Sequence, residues 1–153
     1  MDLDISEDVM AHPSMDRLRW LAAEFLVLEN DLYSYNIEQA AGHGGHNIIT
    51  VVMKEKGVDL GGALDWVAKY LGQVLDEFKA QCQALPSWGV AVDREVKVYV
   101  ERLAYFMRGI DCWAFETERY FGTKGREIQE QRVVDLLPKV HAVVTPMMAL
   151  RDV

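Results

Sequence analysis

Cysteine is scarce, cations are outnumbered and long apolar runs are absent, and each shortage removes a class of protein. Two cysteines, Cys82 and Cys112, make neither a disulfide framework nor a zinc-ligand spacing, and read as reduced core thiols. Lys and Arg number 16 against 24 Asp and Glu, a net charge of −8. That sign is wrong for neutralising phosphates, so no nucleic-acid partner is expected. No apolar stretch reaches the roughly 18 residues of a membrane span. The start Met1-Asp2-Leu3-Asp4 is acidic where a signal peptide is basic, which leads to the expectation of a cytoplasmic location. Alternating runs bounded by turns are also missing, which argues against strands. What is there is half hydrophobic and 26% charged over 153 residues, a globular composition able to bury about two thirds of its unfolded surface. The expected fold is one all-α domain over 1–153. A protein this acidic would need metal ions to handle a phosphorylated substrate.

Helical periodicity organises the chain. After an acidic lead, a first helix is expected from Ser14 to about Ala41, with Leu21, Phe25, Leu28, Leu32 and Tyr35 on one side and a second apolar sector nearly opposite. A helix apolar on two faces reads as central, packed on both sides. Gly42-His43-Gly44-Gly45 breaks it, and a short helix from Asn47 towards Lys56 stops at Gly57. Asp59 would cap a third long segment, Leu60 to Leu85. Asp93 would cap a fourth, from about Arg94 to Tyr120 or Phe121, with Val96, Val100, Leu103, Phe106, Ile110 and Trp113 inward. A last helical stretch is expected from beyond Gly125 to Leu137.

Polar residues interrupt the second sector of the first helix. Asn30, Ser34 and Glu38 are spaced four apart, so Ser34 and Glu38 lie about 40° and 80° from Asn30, among Ala23, Leu26, Val27 and Ile37. An amide oxygen, a hydroxyl and a carboxylate at that spacing suit a hard cation such as Mg²⁺. Asp31, about 100° away, falls off the row. The bland alternative is a face satisfied by neighbouring side chains. A second segment, Trp113-Ala114-Phe115-Glu116-Thr117-Glu118-Arg119-Tyr120-Phe121-Gly122, puts Tyr120 within about 20° of Trp113 on a helical wheel. Arg119 lies about 120° from Trp113 and would reach the same wall only because it is long and close to a helix end. Its fork of donors suits a diphosphate and an indole face attracts cations. Alternatively Arg119 pairs with Glu116 or Glu118, and Trp113 is a core aromatic. His43 and His46 read as a loop rather than as metal ligands, lacking a third partner. Met147 and Met148 read as packing or unstructured residues.

Asn30-Asp31-Leu32-x-Ser34-x-x-x-Glu38 with Gln39, then His46-Asn47-Ile48-Ile49-Thr50-Val51-Val52-Met53, then Trp113 and Glu116 ahead of Arg119-Tyr120-Phe121-Gly122, together resemble class I terpene synthases. The likeness is to the C-terminal part of the fungal type of sesquiterpene synthase, over about Leu3 to Pro138. It implies the corresponding portion of an α-helical bundle around an apolar cavity. It further implies that Asn30, Ser34 and Glu38 chelate Mg²⁺, that Arg119 donates hydrogen bonds to the diphosphate, that Tyr120 helps close the site, and that Trp113 faces a carbocation. The implied activity is that of a lyase ionising a prenyl diphosphate, expected to be farnesyl diphosphate, and cyclising the cation. The family's aspartate-rich Asp-Asp-x-x-Asp or Glu motif has no counterpart, because the chain contains no Asp-Asp pair. Asp4-Ile5-Ser6-Glu7 imitates it loosely and belongs instead to the acidic connection before the first long helix. The chain is therefore expected to lack the N-terminal half of the fold, to turn over poorly and to self-associate through exposed core. Asp111, two before Trp113, stands where many relatives carry a neutral residue. Competing readings are a catalytically inactive remnant or helical interaction domain, and an adapter unrelated to terpenes.

Overall fold

A computed structural model describes residues 3–140, and among them it contains helices and no strand. The helices are α1 (Glu7–Met10), α2 (Pro13–Ala41), α3 (Ile48–Lys56), α4 (Leu60–Gln83), α5 (Val90–Glu116), α6 (Glu118–Phe121) and α7 (Gly125–Gln131), with single 3₁₀ turns at Gly44–His46 and Gly122–Lys124. Helix α2 is the axis of the fold: α4 and α5 pack along it, α3 bridges it to α4, and α6 returns to its middle. Met147 and Met148 lie outside the described residues.

Local chemistry sets the ends of α2. Pro13 occupies its first turn, where no backbone donor is needed, and His12 Nδ1 accepts from the Ser14 amide at 3.2 Å. At the far end Gly42 adopts φ +76°, a left-handed cap that glycine accepts without steric cost. Along the buried stripe, Leu18, Leu21, Phe25 and Leu28 meet Val74 and Phe78 of α4 and Val96, Val100 and Met107 of α5. Side chains of this size contribute about 1.5–3 kcal/mol each when fully buried. A second cluster, Ile49 and Val52 of α3 with Ala63 and Val67 of α4, packs beside Leu32 and Tyr35.

Five expectations require correction. The opposite side of α2 is not packed: Val27 is 62% exposed, Trp20 is 65% exposed, and Ala23 and Ile37 also face outward. Helix α5 begins at Val90, and Asp93 instead accepts from the Ser87 hydroxyl at 2.6 Å and the Trp88 amide at 2.7 Å, closing the turn before the helix. That helix then stops at Glu116, because Thr117 turns extended (φ −80°, ψ 148°) and its hydroxyl accepts from the Arg119 amide at 3.3 Å, capping α6. Its inward face is Val96, Val100, Met107 and Ala114, while Phe106 and Trp113 are 55% and 47% exposed. The last helix ends at Gln131, where Arg132 turns left-handed at φ +57°, and residues 133–140 run on without helix. A short helix in the acidic lead, α1, was not apparent from periodicity, which four residues are too few to display.

Candidate metal and diphosphate site

The Asn30, Ser34, Glu38 row lies on one helix, but the groups that fix its oxygens come from elsewhere. Asn47, at the N-cap of α3 and 2% exposed, carries most of this work. Its Oδ1 accepts from the Ile49 amide at 3.0 Å, which orients the side-chain amide. Its Nδ2 then donates to the Asp31 carbonyl at 2.7 Å and to Glu38 Oε2 at 3.1 Å, with Ser34 Oγ at 3.5 Å. Ser34 and Glu38 are thus both reached by one donor, the Asn47 amide nitrogen, as the bland reading of a face satisfied by neighbouring side chains expects. The Asp31 carboxylate accepts from the Ile48 amide at 2.8 Å, which adds a second tie from α2 to the start of α3. Asp31 is thus a structural anchor, in keeping with its place off the row.

Asn30 is held from the other side. The Tyr120 hydroxyl donates to its Oδ1 at 2.9 Å. Tyr120 is buried, and the cap at Thr117 makes this possible, because a continuous helix would not fold back onto α2. Trp113 stands edge-on to Tyr120 with ring centroids 6.0 Å apart, and the Arg119 guanidinium sits 5.4 Å from the Tyr120 centroid. Arg119 is exposed and takes part in none of the four ion pairs among the described residues, so the alternative pairing with Glu116 or Glu118 is not formed. Trp113, Arg119, Tyr120 and Asn30 therefore form one contiguous series, and Ser34, Glu38 and Asn47 another, along the same helix.

The donor set suits a hard cation. Three neutral or anionic oxygens on one helix face include a single carboxylate, and each keeps accepting capacity: Glu38 has a second oxygen, and an amide carbonyl has two lone pairs. Among the described residues no group of three or more His, Cys, Asp or Glu forms a metal cluster. His43 and His46 are exposed in the loop after α2.

Sequence reasoning missed three supporting residues. Asn47 was visible only as the start of the short helix and as part of the family-like string. Tyr33, one turn from Asn30 and half-buried, meets Phe115 at 5.2 Å, Phe121 at 5.9 Å and Tyr120 at 6.1 Å, so it anchors the aromatic cluster that seats Tyr120. Its hydroxyl donates to Asp111 Oδ1 at 2.7 Å, while Arg108 Nη1 holds Asp111 Oδ2 at 2.6 Å. Burial first, and the hydrogen bond to Asp111 second, drive the Tyr33 hydroxyl far above its ordinary range, so it stays a donor. The third, Asn36, is buried and grips the chain after α7: its Nδ2 donates to the Asp135 carbonyl at 2.9 Å and its Oδ1 accepts from the Leu137 amide at 2.8 Å. Gln39 adds a bond to the Leu137 carbonyl at 2.8 Å.

The described residues form an all-helical domain whose axial helix carries Asn30, Ser34 and Glu38 on one row, with Tyr120 of an aromatic cluster bonded to Asn30 and Arg119 beside that ring. Residues 1–77 match the family model described as "Terpene synthase family 2, C-terminal metal binding". The chain belongs to the terpene synthase family. It is 46% identical over 137 residues to Delta(6)-protoilludene synthase 18 of Postia placenta, covering 90% of this chain and 39% of that protein. It is 44% identical over 140 residues to Sesquiterpene synthase 14 of the same fungus, covering 92% and 40%. Sesquiterpene synthase Agr1 of Cyclocybe aegerita is 43% identical over 138 residues, covering 90% and 40%. The chain thus spans about two fifths of the length of these relatives. No helix among the described residues is long and apolar enough to cross a membrane.

Proposed function

We propose that this chain is the C-terminal, metal-binding portion of a sesquiterpene cyclase, with Asn30, Ser34 and Glu38 as ligands of one Mg²⁺ and farnesyl diphosphate as substrate. The observation that carries the reading is that residues 1–77, which include the Asn30, Ser34, Glu38 row of α2, match the metal-binding family model, with Asn30 in contact with Tyr120. Bound there, the cation would act as a Lewis acid on the diphosphate. Arg119, exposed and outside every ion pair among the described residues, donates to the same diphosphate and stabilises charge that grows as the carbon–oxygen bond breaks. The electron pair leaves with the diphosphate oxygen, and an allylic cation stays behind. Trp113 offers that cation an indole face, a contact worth about 0.5–1 kcal/mol where exposed and about 2 kcal/mol once desolvated. Tyr120 couples the two halves of the site, since its hydroxyl orients Asn30 and its ring lies under Arg119.

The 153-residue chain alone is expected to be a poor catalyst. It has no Asp-Asp pair to share the metal load, and the face of α2 below the ligand row is open, so positioning and water exclusion are both incomplete. The same open face favours the interaction-domain alternative for the isolated chain. Thermal melts with Mg²⁺ and inorganic diphosphate together test the ligand set. The melting temperature should rise, and Glu38→Ala should abolish the rise. No rise in the unaltered chain would remove the metal reading, and efficient product formation from farnesyl diphosphate would remove the expectation of poor turnover.

A further inference from the structure

On the other side of α2, away from the ligand row, lies a cleft of about 510 Å³ between α2, α4 and α5. Phe25, Leu71, Leu75, Phe78 and Met107 make its walls apolar, and Glu29 stands among them. Glu29 is 5% exposed, and its Oε2 is the one buried side-chain atom among the described residues without a hydrogen-bond partner. Such a group costs about 1–3 kcal/mol when left unpaired. The other charged groups at the cleft are already engaged. Arg108 holds Asp111, Asp111 also accepts from Tyr33, and Lys79 is 3.1 Å from Asp76.

We propose that this cleft binds a neutral, compact apolar molecule bearing a hydroxyl, with the hydroxyl paired to Glu29. The volume lies within the range of small-molecule sites, and apolar walls with one convergent polar group are their usual composition. A hydroxyl both donates and accepts, so it satisfies the Glu29 carboxyl whether or not that group carries a proton. Rotation about the terminal bond of Glu29, a soft torsion, turns either oxygen towards the cleft. Arg108 and Lys79 are each paired with an aspartate, Asp111 and Asp76, so neither offers a free cation to an anionic ligand. This site is separate from the proposed metal site and does not depend on it.

Titration of the 153-residue chain with adamantanol, followed by amide chemical shifts, tests the proposal. Saturable shifts should centre on Glu29, Phe78 and Met107. Glu29→Gln, which keeps a donor and an acceptor, should retain binding, whereas Glu29→Leu should weaken it about tenfold or more. Met107→Trp, which fills the cleft from α5, should abolish it, and melting curves verify that each variant is folded. Adamantylammonium should bind no better than adamantanol. Absence of saturable shifts, full affinity in both Glu29→Leu and Met107→Trp, or a clear preference for the ammonium compound would each overturn the proposal.

Discussion

Glu29 and Asn30 are neighbours in sequence with opposite surroundings, one enclosed without a partner and the other held by Tyr120. Burial, reinforced by the Asp111 carboxylate, raises Glu29 from its ordinary 4.5 to about 7. An acid whose pKa is higher in the folded state binds more protons there, so its contribution favours folding below about 4.5 and is lost as pH rises through about 7. Glu77, lowered by its hydrogen bond from Arg17, and Asp93, lowered chiefly by the Ser87 hydroxyl, act with the opposite sign and lose their contribution in acid. Denaturant titrations should therefore find stability falling between pH 5 and pH 8, and Glu29→Gln should flatten that slope. An unchanged slope in the variant would assign the dependence to another group. The ladder itself was legible from spacing because three oxygens in an apolar sector conflict with their neighbours. Its supports were not: Asn47 and Tyr33 act across 13 and 78 residues of sequence, a separation at which one-dimensional periodicity carries no information.

Among the elements, the long helices were readable because apolar spacing persists over many turns and glycines mark their ends. The break at Thr117 was not, since Trp113 to Phe121 keeps helical spacing throughout and only the cap geometry separates α5 from α6. That break is what sends Tyr120 back to Asn30. Thr117→Ala removes the hydroxyl that caps α6, a loss of about 1 kcal/mol. Its effect should be local: hydrogen exchange should quicken at Arg119 to Phe121 while the core of α4 keeps its protection. Gly125 is fixed by the same turn. A Cβ placed there would lie 2.0 Å from the Phe115 carbonyl oxygen, so α7 can approach the end of α5 only with glycine at this position.

At the scale of the molecule, one half of α2 is wrapped and the other is bare. Trp20, Ala23 and Val27 continue the ligand row towards the start of the helix as an exposed apolar stripe, and Tyr105, Phe106 and Trp113 are exposed on α5. Periodicity marked the stripe as core-like, but it records only which residues avoid water and not which segment covers them. An apolar stripe left open in the isolated chain should drive self-association. Sedimentation should detect concentration-dependent oligomers that Val27→Glu reduces; a monomer at all concentrations would contradict this. The carboxyl-terminal end of the fold has a different kind of definition. Because the Asn36 amide uses both its donor and its acceptor on the backbone at Asp135 and Leu137, helix α2 reads the chain about a hundred residues downstream as though it were a paired strand. The working boundary of the domain is therefore set by hydrogen-bond complementarity rather than by the last helical turn. A chain clipped just after Gln131 would keep the seven α-helices of the described residues and still leave the buried Asn36 amide without its two backbone partners.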